Sequence, residues 1–311
     1  MKEIRFKIGP DEKGLRIDKC ITQRLGEAYS RMYVKFLMDN DHVRVDEKPV
    51  KPHHAAKEGE EVFIKLAPPE KSETVLAEDI PLDILYEDEW IIVVNKPFGM
   101  VVHPAAGNRS GTLANALLYH CGKLADSGDQ LRPGIVHRLD KDTSGAIVAA
   151  KQDKALRSLA KQFQKRAVKK KYIALVKGRV ELDNGVVEAP VARHAVSRKK
   201  MNVEYAKGKK ARTVYHVVRR FKDFTQLELS LETGRTHQIR VHMKHLGHPV
   251  LGDRTYGRSD GLERQALHAE MLGFTHPHTG EYVEFHAPLP GDMEEVIKQG
   301  DAHGLENKTG K

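Results

Sequence analysis

Near the N-terminus the apolar residues Ile17, Cys20, Ile21 and Leu25 recur three and four apart, the spacing that gathers them on one helix face. After Gly26 the pattern predicts a second helix, with Ser30 as its N-cap and Tyr33, Phe36 and Leu37 facing inward. The period then falls to two. His42-Val43-Arg44-Val45, a turn over 46–49 and the strand Glu61-Val62-Phe63-Ile64 predict a small sheet packed on the two helices. The paired prolines of Ala67-Pro68-Pro69-Glu70-Lys71-Ser72-Glu73 can continue neither a helix nor a central strand, so a boundary is expected there. The reading is a small α+β domain over 1–68, a linker over 69–79, a larger domain over 80–300 and a polar, frayed tail over 301–311.

Strands dominate from Ile80 onward. Leu82 to Tyr86 and Trp90 to Val94 are strand-like runs parted by the acidic turn Glu87-Asp88-Glu89, and Ala146 to Ala150 is an apolar run expected to be buried on both faces. Tyr172 to Val176 and Thr213 to Val218 read the same way. Thr225 to Leu231 alternates, with Leu227, Leu229 and Leu231 on one face and Gln226, Glu228 and Ser230 on the other. One helix interrupts this series. Its stripe is Leu156, Leu159, Ala160 and Phe163, and Lys154, Arg157, Lys161 and Lys165 fall on the opposite face at the same period.

Composition narrows the function class. Hydrophobic residues make up 40% and charged residues 31%, which excludes a mainly disordered chain. No apolar run approaches the ~18 residues of a membrane span. Met1-Lys2-Glu3-Ile4-Arg5 lacks the apolar core of a secretory leader, and the two cysteines, Cys20 and Cys121, lie far apart. A reduced, cytoplasmic protein without membrane contact is the expectation. The net charge of +9 is unevenly placed: residues 151–220 alone carry +16, leaving −7 on the rest. A basic block in an otherwise acidic chain is the footprint of a polyanion partner, or else a solvated lysine-rich surface.

Candidate chemistry concentrates in His137-Arg138-Leu139-Asp140-Lys141-Asp142-Thr143-Ser144-Gly145, a polar loop between apolar strands. A calcium loop beginning at Asp140 fails, because its twelfth position is Lys151 where a bidentate Glu is required. An aspartyl-phosphate phosphatase, with Asp140 as nucleophile and Asp142 as acid, stays a runner-up, although a polar His137-Arg138 precedes the loop. The third reading is a single reactive carboxylate, Asp140, beside a base-contacting Arg138; the bland one is an ion-paired turn. Downstream, Thr233-Gly234 predicts a turn, followed by a helix with Ile239, Met243 and Leu246 inward and Gly247 as its C-cap. Arg235 then sits at a helix start, where a fixed cation could hold Asp140 ionised. His237, His242, His245 and His248 lack the spacing of a zinc site, so polar packing is expected and no metal.

Taken in order, NKPFGMVVHP (95–104), HRLDKDTSG (137–145), KKYIALVKG (170–178), GRTHQIRVHM (234–243), RQALHAEMLGF (264–274) and FHAPLP (285–290) resemble the motifs of the RluA-type pseudouridine synthases, and within them the ribosomal large subunit pseudouridine synthase D subgroup. The N-terminal region is similar to the αL RNA-binding domain of small-subunit ribosomal protein S-four. The resemblance implies an α+β fold: a mixed, mainly antiparallel sheet with a central cleft and flanking helices, plus the small RNA-binding domain. It implies an intramolecular isomerase that turns uridine in structured RNA into pseudouridine with no cofactor. Large-subunit rRNA is the first substrate candidate and tRNA the second. It further implies Asp140 as catalytic aspartate, Tyr172 against the uracil, Arg235 as the partner of Asp140 and Arg138 in the place of the flipped base. RNA contacts are expected from Arg16, Arg31, Lys35 and Arg44 in the small domain and from Lys154, Arg157, Lys161 and Lys165 on the basic helix face. No protein partner is expected; the protein is read as a monomer. A non-catalytic RNA-binding module and a metal-dependent phosphatase or nuclease are the competing function classes.

Overall fold

The structure, a computed structural model, describes residues 2–26, 29, 31–67, 74–105, 107–198, 200–258 and 261–306. The expected cap Ser30, the paired prolines with linker residues 68–73, and tail residues 307–311 lie outside the described residues. The chain divides into two compact units, Met1–Thr74 with Gly128–Gln130, and Val75–Ser127 with Leu131–Lys311.

The smaller unit opens with a strand the periodicity did not reveal, β1 (Lys2–Lys7), followed by α1 (Ile17–Leu25) and α2 (Arg31–Asp39). Three strands follow: β2 (Val43–Val45), β3 (Lys48–Pro49) and β4 (Glu61–Leu66). They form a four-stranded antiparallel sheet in the order β1-β4-β2-β3. Asp46 and Glu47 make the β2–β3 turn with positive φ, a conformation that Asp tolerates at a tight hairpin. Ile17, Cys20, Ile21, Val34, Leu37, Val62 and Ile64 close the core between helices and sheet. Tyr33 and Phe36 pack at its margin, half-buried.

The larger unit is built on one nine-stranded sheet. Its strands are β5 (Ile84–Glu87), β6 (Ile91–Lys96), β7 (Ser144–Ala150), β8 (Lys169–Lys177), β9 (Asn184–Glu188), then β12 (Arg212–Arg220) and β13 (Phe224–Leu231), and last β14 (Leu267–Thr275) and β15 (Tyr282–His286). Between β9 and β12 a separate hairpin is formed by β10 (Val191–Arg193) and β11 (Met201–Val203). The sheet order is β5-β6-β7-β14-β8-β13-β12-β9, with β15 also paired to β14. Only β7 and β14 run parallel among the described pairs, so the sheet is mixed and mainly antiparallel, as the resemblance implies.

Alternation along the central strands sends side chains into two cores. Ile92, Val94 and Ile147 face a layer that holds α3 (Leu113–Cys121) and α5 (Gln238–His245) through Leu113, Leu117, Ile239 and Met243. Ile91, Val93 and Val148 face α4 (Asp153–Lys165) through Ala155, Leu156 and Leu159. This is why β7 is buried at every position and reads as a continuous apolar run. Two helix faces differ from expectation. Ala160 is exposed and Ala155 takes its place inside; Leu246 lies beyond the last turn of α5 and is 39% exposed. The expected tail is in part helix, since α6 (Gly291–Glu306) runs through 301–306 and buries Met293. Linker residues 75–79 are anchored on the start of α3, where Asn115 Nδ2 donates to Leu76 O (2.7 Å) and Glu78 N donates to Asn115 O (3.2 Å). No described helix is long and apolar enough to cross a membrane.

Candidate active site

The polar loop that precedes β7 is shaped by what its neighbours bury. His137 accepts a hydrogen bond from Val148 N (3.1 Å) and stacks on Phe163 with ring centroids 4.5 Å apart. Burial, aided by the charge of Lys170, pushes this imidazole down to about 3, so it stays neutral and can accept. Leu139 is buried in turn. With His137 and Leu139 turned inward, Arg138 between them is exposed and Asp140 stands at the mouth of the cleft. Thr143 N donates to Asp140 O (3.1 Å) and closes the turn.

Two buried cations clamp the loop backbone. Lys96, the last residue of β6, is fully buried and donates to Pro97 O (2.7 Å), Met100 O (2.9 Å) and Lys141 O (3.1 Å). Burial pushes its ammonium down to about 7, against the pull of Asp142 and Asp140. Arg264 reaches Asp142 O (3.4 Å) while its fork holds Asp292 at 2.7 and 2.8 Å. At the end of the loop Gly145 has φ +116°, and a Cβ there would run into the Ala269 backbone. Only glycine lets β7 approach β14 at the position where the two pair in parallel.

The guanidinium that faces Asp140 belongs to Arg240, not to Arg235. Arg240 Nη1 donates to Asp140 Oδ2 (3.0 Å), and its Nε and Nη2 form a fork on Asp253 at 2.6 and 2.9 Å. Burial works against the Arg240 charge, but Asp253 and then Asp140 outweigh it and raise its pKa. Asp253, with no exposure, is itself held by the amides of Thr255 (2.9 Å) and Tyr256 (3.1 Å). Arg235 falls short because α5 begins three residues later than its position suggests. Its Nε donates to Lys210 O (3.1 Å), and its backbone N–H donates to Gln238 Oε1 (3.0 Å). Arg235 still lines the cleft wall beside Asp140. The signal for Arg240 was present in GRTHQIRVHM: it lies one turn from Met243 on the buried stripe of α5, where an arginine persists only with partners.

Tyr172, on β8, lines the same cleft and is 8% exposed. Burial, and secondarily the charge of Asp140, raises its phenol pKa. His237, a left-handed residue (φ +55°), lines the same cavity, and its Nε2 lies 3.8 Å from Asp140 Oδ2. The innermost cavity is about 110 Å³, bounded by Arg138, Asp140, Tyr172, Arg235, His237 and Arg240. It opens beside a second cavity of about 470 Å³ that shares Arg138, Tyr172 and Arg235 and adds Phe163, Arg166 and Lys170. A carboxylate beside a fixed guanidinium, a neutral phenol and a cationic rim together suit a base attached to a polyanion.

The candidates on α4 do not line these two cavities. Lys154, Arg157, Lys161 and Lys165 occupy the exposed face of α4. In the smaller unit Arg16 (3.0 Å) and Arg31 (2.7 Å) converge on buried Asp18, Lys35 pairs with Asp39 (3.1 Å), and Arg44 is exposed on β2. Burial opposes the charge of Asp18, and the two guanidinium partners more than offset it, lowering its pKa. Both arginines remain about half exposed, at 48% and 51%. Among the histidines, His242 has both ring nitrogens engaged, with Thr213 Oγ1 (2.8 Å) and Ala189 O (2.9 Å), and His248 bonds Lys177 O (2.9 Å).

Comparison with known proteins identifies the family. Residues 90–245, which span the Asp140 loop, β8 and α5, match the RNA pseudouridylate synthase family. An RNA pseudouridine synthase of Bacillus subtilis is 47% identical over 96% of this chain and 98% of its own. Ribosomal large subunit pseudouridine synthase D of Nitrosomonas europaea is 44% identical over 95% of this chain and 87% of its own. Among solved structures, human RNA pseudouridylate synthase domain containing 1 superposes with a TM-score of 0.57 at 28% identity, over 71% of this chain and 95% of that one. The chain therefore belongs to the RNA pseudouridylate synthase family, in its RluA-type branch, and is an RNA pseudouridine synthase.

Proposed function

We propose that this isomerase acts on uridines of large-subunit rRNA with Asp140 as its reacting carboxylate. The observation that carries the assignment of Asp140 is its pairing with Arg240 at 3.0 Å in a cleft walled by Tyr172. The buried guanidinium, already fixed by Asp253, gives the carboxylate a preorganised counter-ion. The reaction breaks the N1–C1′ bond of uridine, turns the uracil and rejoins it through C5, so atoms balance without oxidant or water. Asp140 acts as nucleophile at C1′ or as base at the sugar; its environment serves both. Tyr172 forms the wall against the uracil. Because its phenol pKa is raised, it meets the base as a neutral ring and hydroxyl rather than as a phenolate. Arg138, exposed next to Asp140, fills the place a flipped base leaves. Arg235 contributes charge to the cleft wall, toward the phosphates.

The rRNA assignment rests on the relative from Nitrosomonas europaea and the similarity along nearly the whole chain. The smaller unit, with two helices on a four-stranded sheet and exposed Arg44, is proposed as an S-four-like RNA-binding domain. Asp140→Asn tests the carboxylate. Tritium release from large-subunit rRNA carrying 5-tritiated uridine should be abolished while RNA affinity is nearly unchanged, with EDTA present throughout. Residual activity within tenfold of wild type, under ~1.4 kcal/mol of barrier, would sink the assignment.

A further inference from the structure

Beside Asp140 stands a second polar group that the reaction scheme above leaves idle. His237 Nδ1 lies 2.7 Å from the Tyr256 hydroxyl, and that hydroxyl oxygen accepts a hydrogen bond from Met201 N (2.8 Å). The two contacts favour one protonation pattern. With its oxygen already accepting from Met201, the Tyr256 O–H has one acceptor among the described residues, His237 Nδ1. Were Nδ1 the protonated nitrogen, the Tyr256 proton would lose its one acceptor among the described residues. This arrangement favours the tautomer with its hydrogen on Nε2. Burial favours this neutral ring; Asp140 opposes it and Arg240 supports it, and more weakly Asp253 opposes it and Arg138 supports it.

Nε2–H points into the inner cavity and lies 3.8 Å from Asp140 Oδ2, too far for a direct hydrogen bond. A donor and a carboxylate at that separation can be bridged by one oxygen that accepts from the first and donates to the second. At the sugar carbons where Asp140 acts, the neighbouring oxygens are the ring oxygen and the 2′-hydroxyl. The ring oxygen can only accept; the hydroxyl can do both.

We propose that His237 Nε2–H and Asp140 Oδ2 together clamp the 2′-hydroxyl of the target nucleotide, making His237 a further catalytic residue that selects ribose over deoxyribose. The clamp rests on Asp140 being the reacting carboxylate. Tyr256 is its positioning residue, and Asp253, which accepts from the Tyr256 amide and forks Arg240, holds both halves of the clamp in register. Met201 belongs to the β10–β11 hairpin, so the seat of that hairpin sets the tautomer.

The test uses the full-length protein and a synthetic oligonucleotide spanning a uridine that the wild-type enzyme converts in transcribed large-subunit rRNA. It is made once with uridine and once with 2′-deoxyuridine at the target. Single-turnover rates at saturating oligonucleotide should fall about tenfold or more for His237→Ala on the ribose substrate, the scale of one lost hydrogen bond to a charged pair. His237→Gln, whose amide nitrogen reaches the Nε2 position, should restore most of that loss. On the deoxy substrate the wild type should be slowed by a similar factor and His237→Ala should add under about threefold. If the deoxy target turns over too slowly to time, the same four-way comparison is read from dissociation constants. An equal penalty for His237→Ala on both sugars, or none on ribose, overturns the clamp. Tyr256→Phe keeps the ring and should reproduce a smaller ribose-specific loss; a wild-type rate overturns the tautomer lock. Thermal melts separate any unfolded variant from a slow one. Asp140→Asn in the same assay separates the clamp from the reading beneath it: full activity there removes the carboxylate, whereas failure of the clamp alone leaves Asp140→Asn inactive.

Discussion

Lys96 shows how one residue serves the site without touching it. A fully buried ammonium is normally excluded from a protein interior, yet here three carbonyls, two from its own turn and one from the Asp140 loop, take all of its protons. Its pKa lies at about 7 in the native state against 10.5 ordinarily, so between those values the unfolded chain binds the extra proton. Stability linked to Lys96 therefore rises with pH across that window, and the native state is penalised below it. Lys96→Met removes the titration along with the three bonds. Urea denaturation of both proteins should show the gap widening in favour of the wild type by about 2 kcal/mol from pH 7 to pH 9. A gap that stays constant would show that the amine is not shifted. The Arg240 and Asp253 pair follows the same logic at higher charge: a guanidinium held by Asp253 is an immobile counter-ion for Asp140.

At the scale of elements, α4 presents the sharpest segregation of charge. Leu156 and Leu159 enter the core while Lys154, Arg157, Lys161 and Lys165 remain exposed, and α4 also supplies Phe163 to the larger cavity. If this face tracks RNA backbone, replacing the four cations with Gln should weaken binding and reduce the slope of log affinity against log salt by up to about 4. An unchanged slope would mark the face as solvated surface. The same helix illustrates what the sequence makes legible. A two-core sheet leaves apolar runs such as Ile91 to Val94 that can be read without any partner in view. The Asp140 loop stands out because charged residues interrupt two such runs. Arg240 was not legible as the partner of Asp140, since the start of α5 is set by a left-handed His237 and by Gln238 bonding Thr233 and the Arg235 amide. Those are tertiary choices that periodicity does not encode. β14 was hidden for another reason: His268 and Glu270 break its apolar pattern, His268 being buried between Ser144 and Ala287 O.

At the scale of the whole molecule the chain has two compact units, and the residues proposed for catalysis all belong to the larger one. A fragment 75–311 retains the anchoring of Leu76 and Glu78 on α3. It should fold and isomerise at saturating RNA within a few-fold of the full chain, with its loss falling mainly on affinity, as expected for a separate RNA-gripping domain. Single-turnover rates across an RNA titration check this; a fragment that stays slow at saturation would show that the first unit supports the chemistry.

The central position of β14 carries a consequence in time. This strand, residues 267–275, is inserted between β7 and β8, both made more than ninety residues earlier, and it provides the register partner of Gly145 at the end of the Asp140 loop. A nascent chain can pair β5 with β6 and β7, and β8 with β13 and β12, but the two halves have no common edge until β14 emerges. Such long-range pairing is slow to form and waits on loop closure. Chains arrested before residue 267 should therefore expose two open sheet edges and aggregate rather than isomerise. Sedimentation and tritium release from chains truncated at 260 and at 306 would reveal activity switching on once β14 and the elements that follow it are in place.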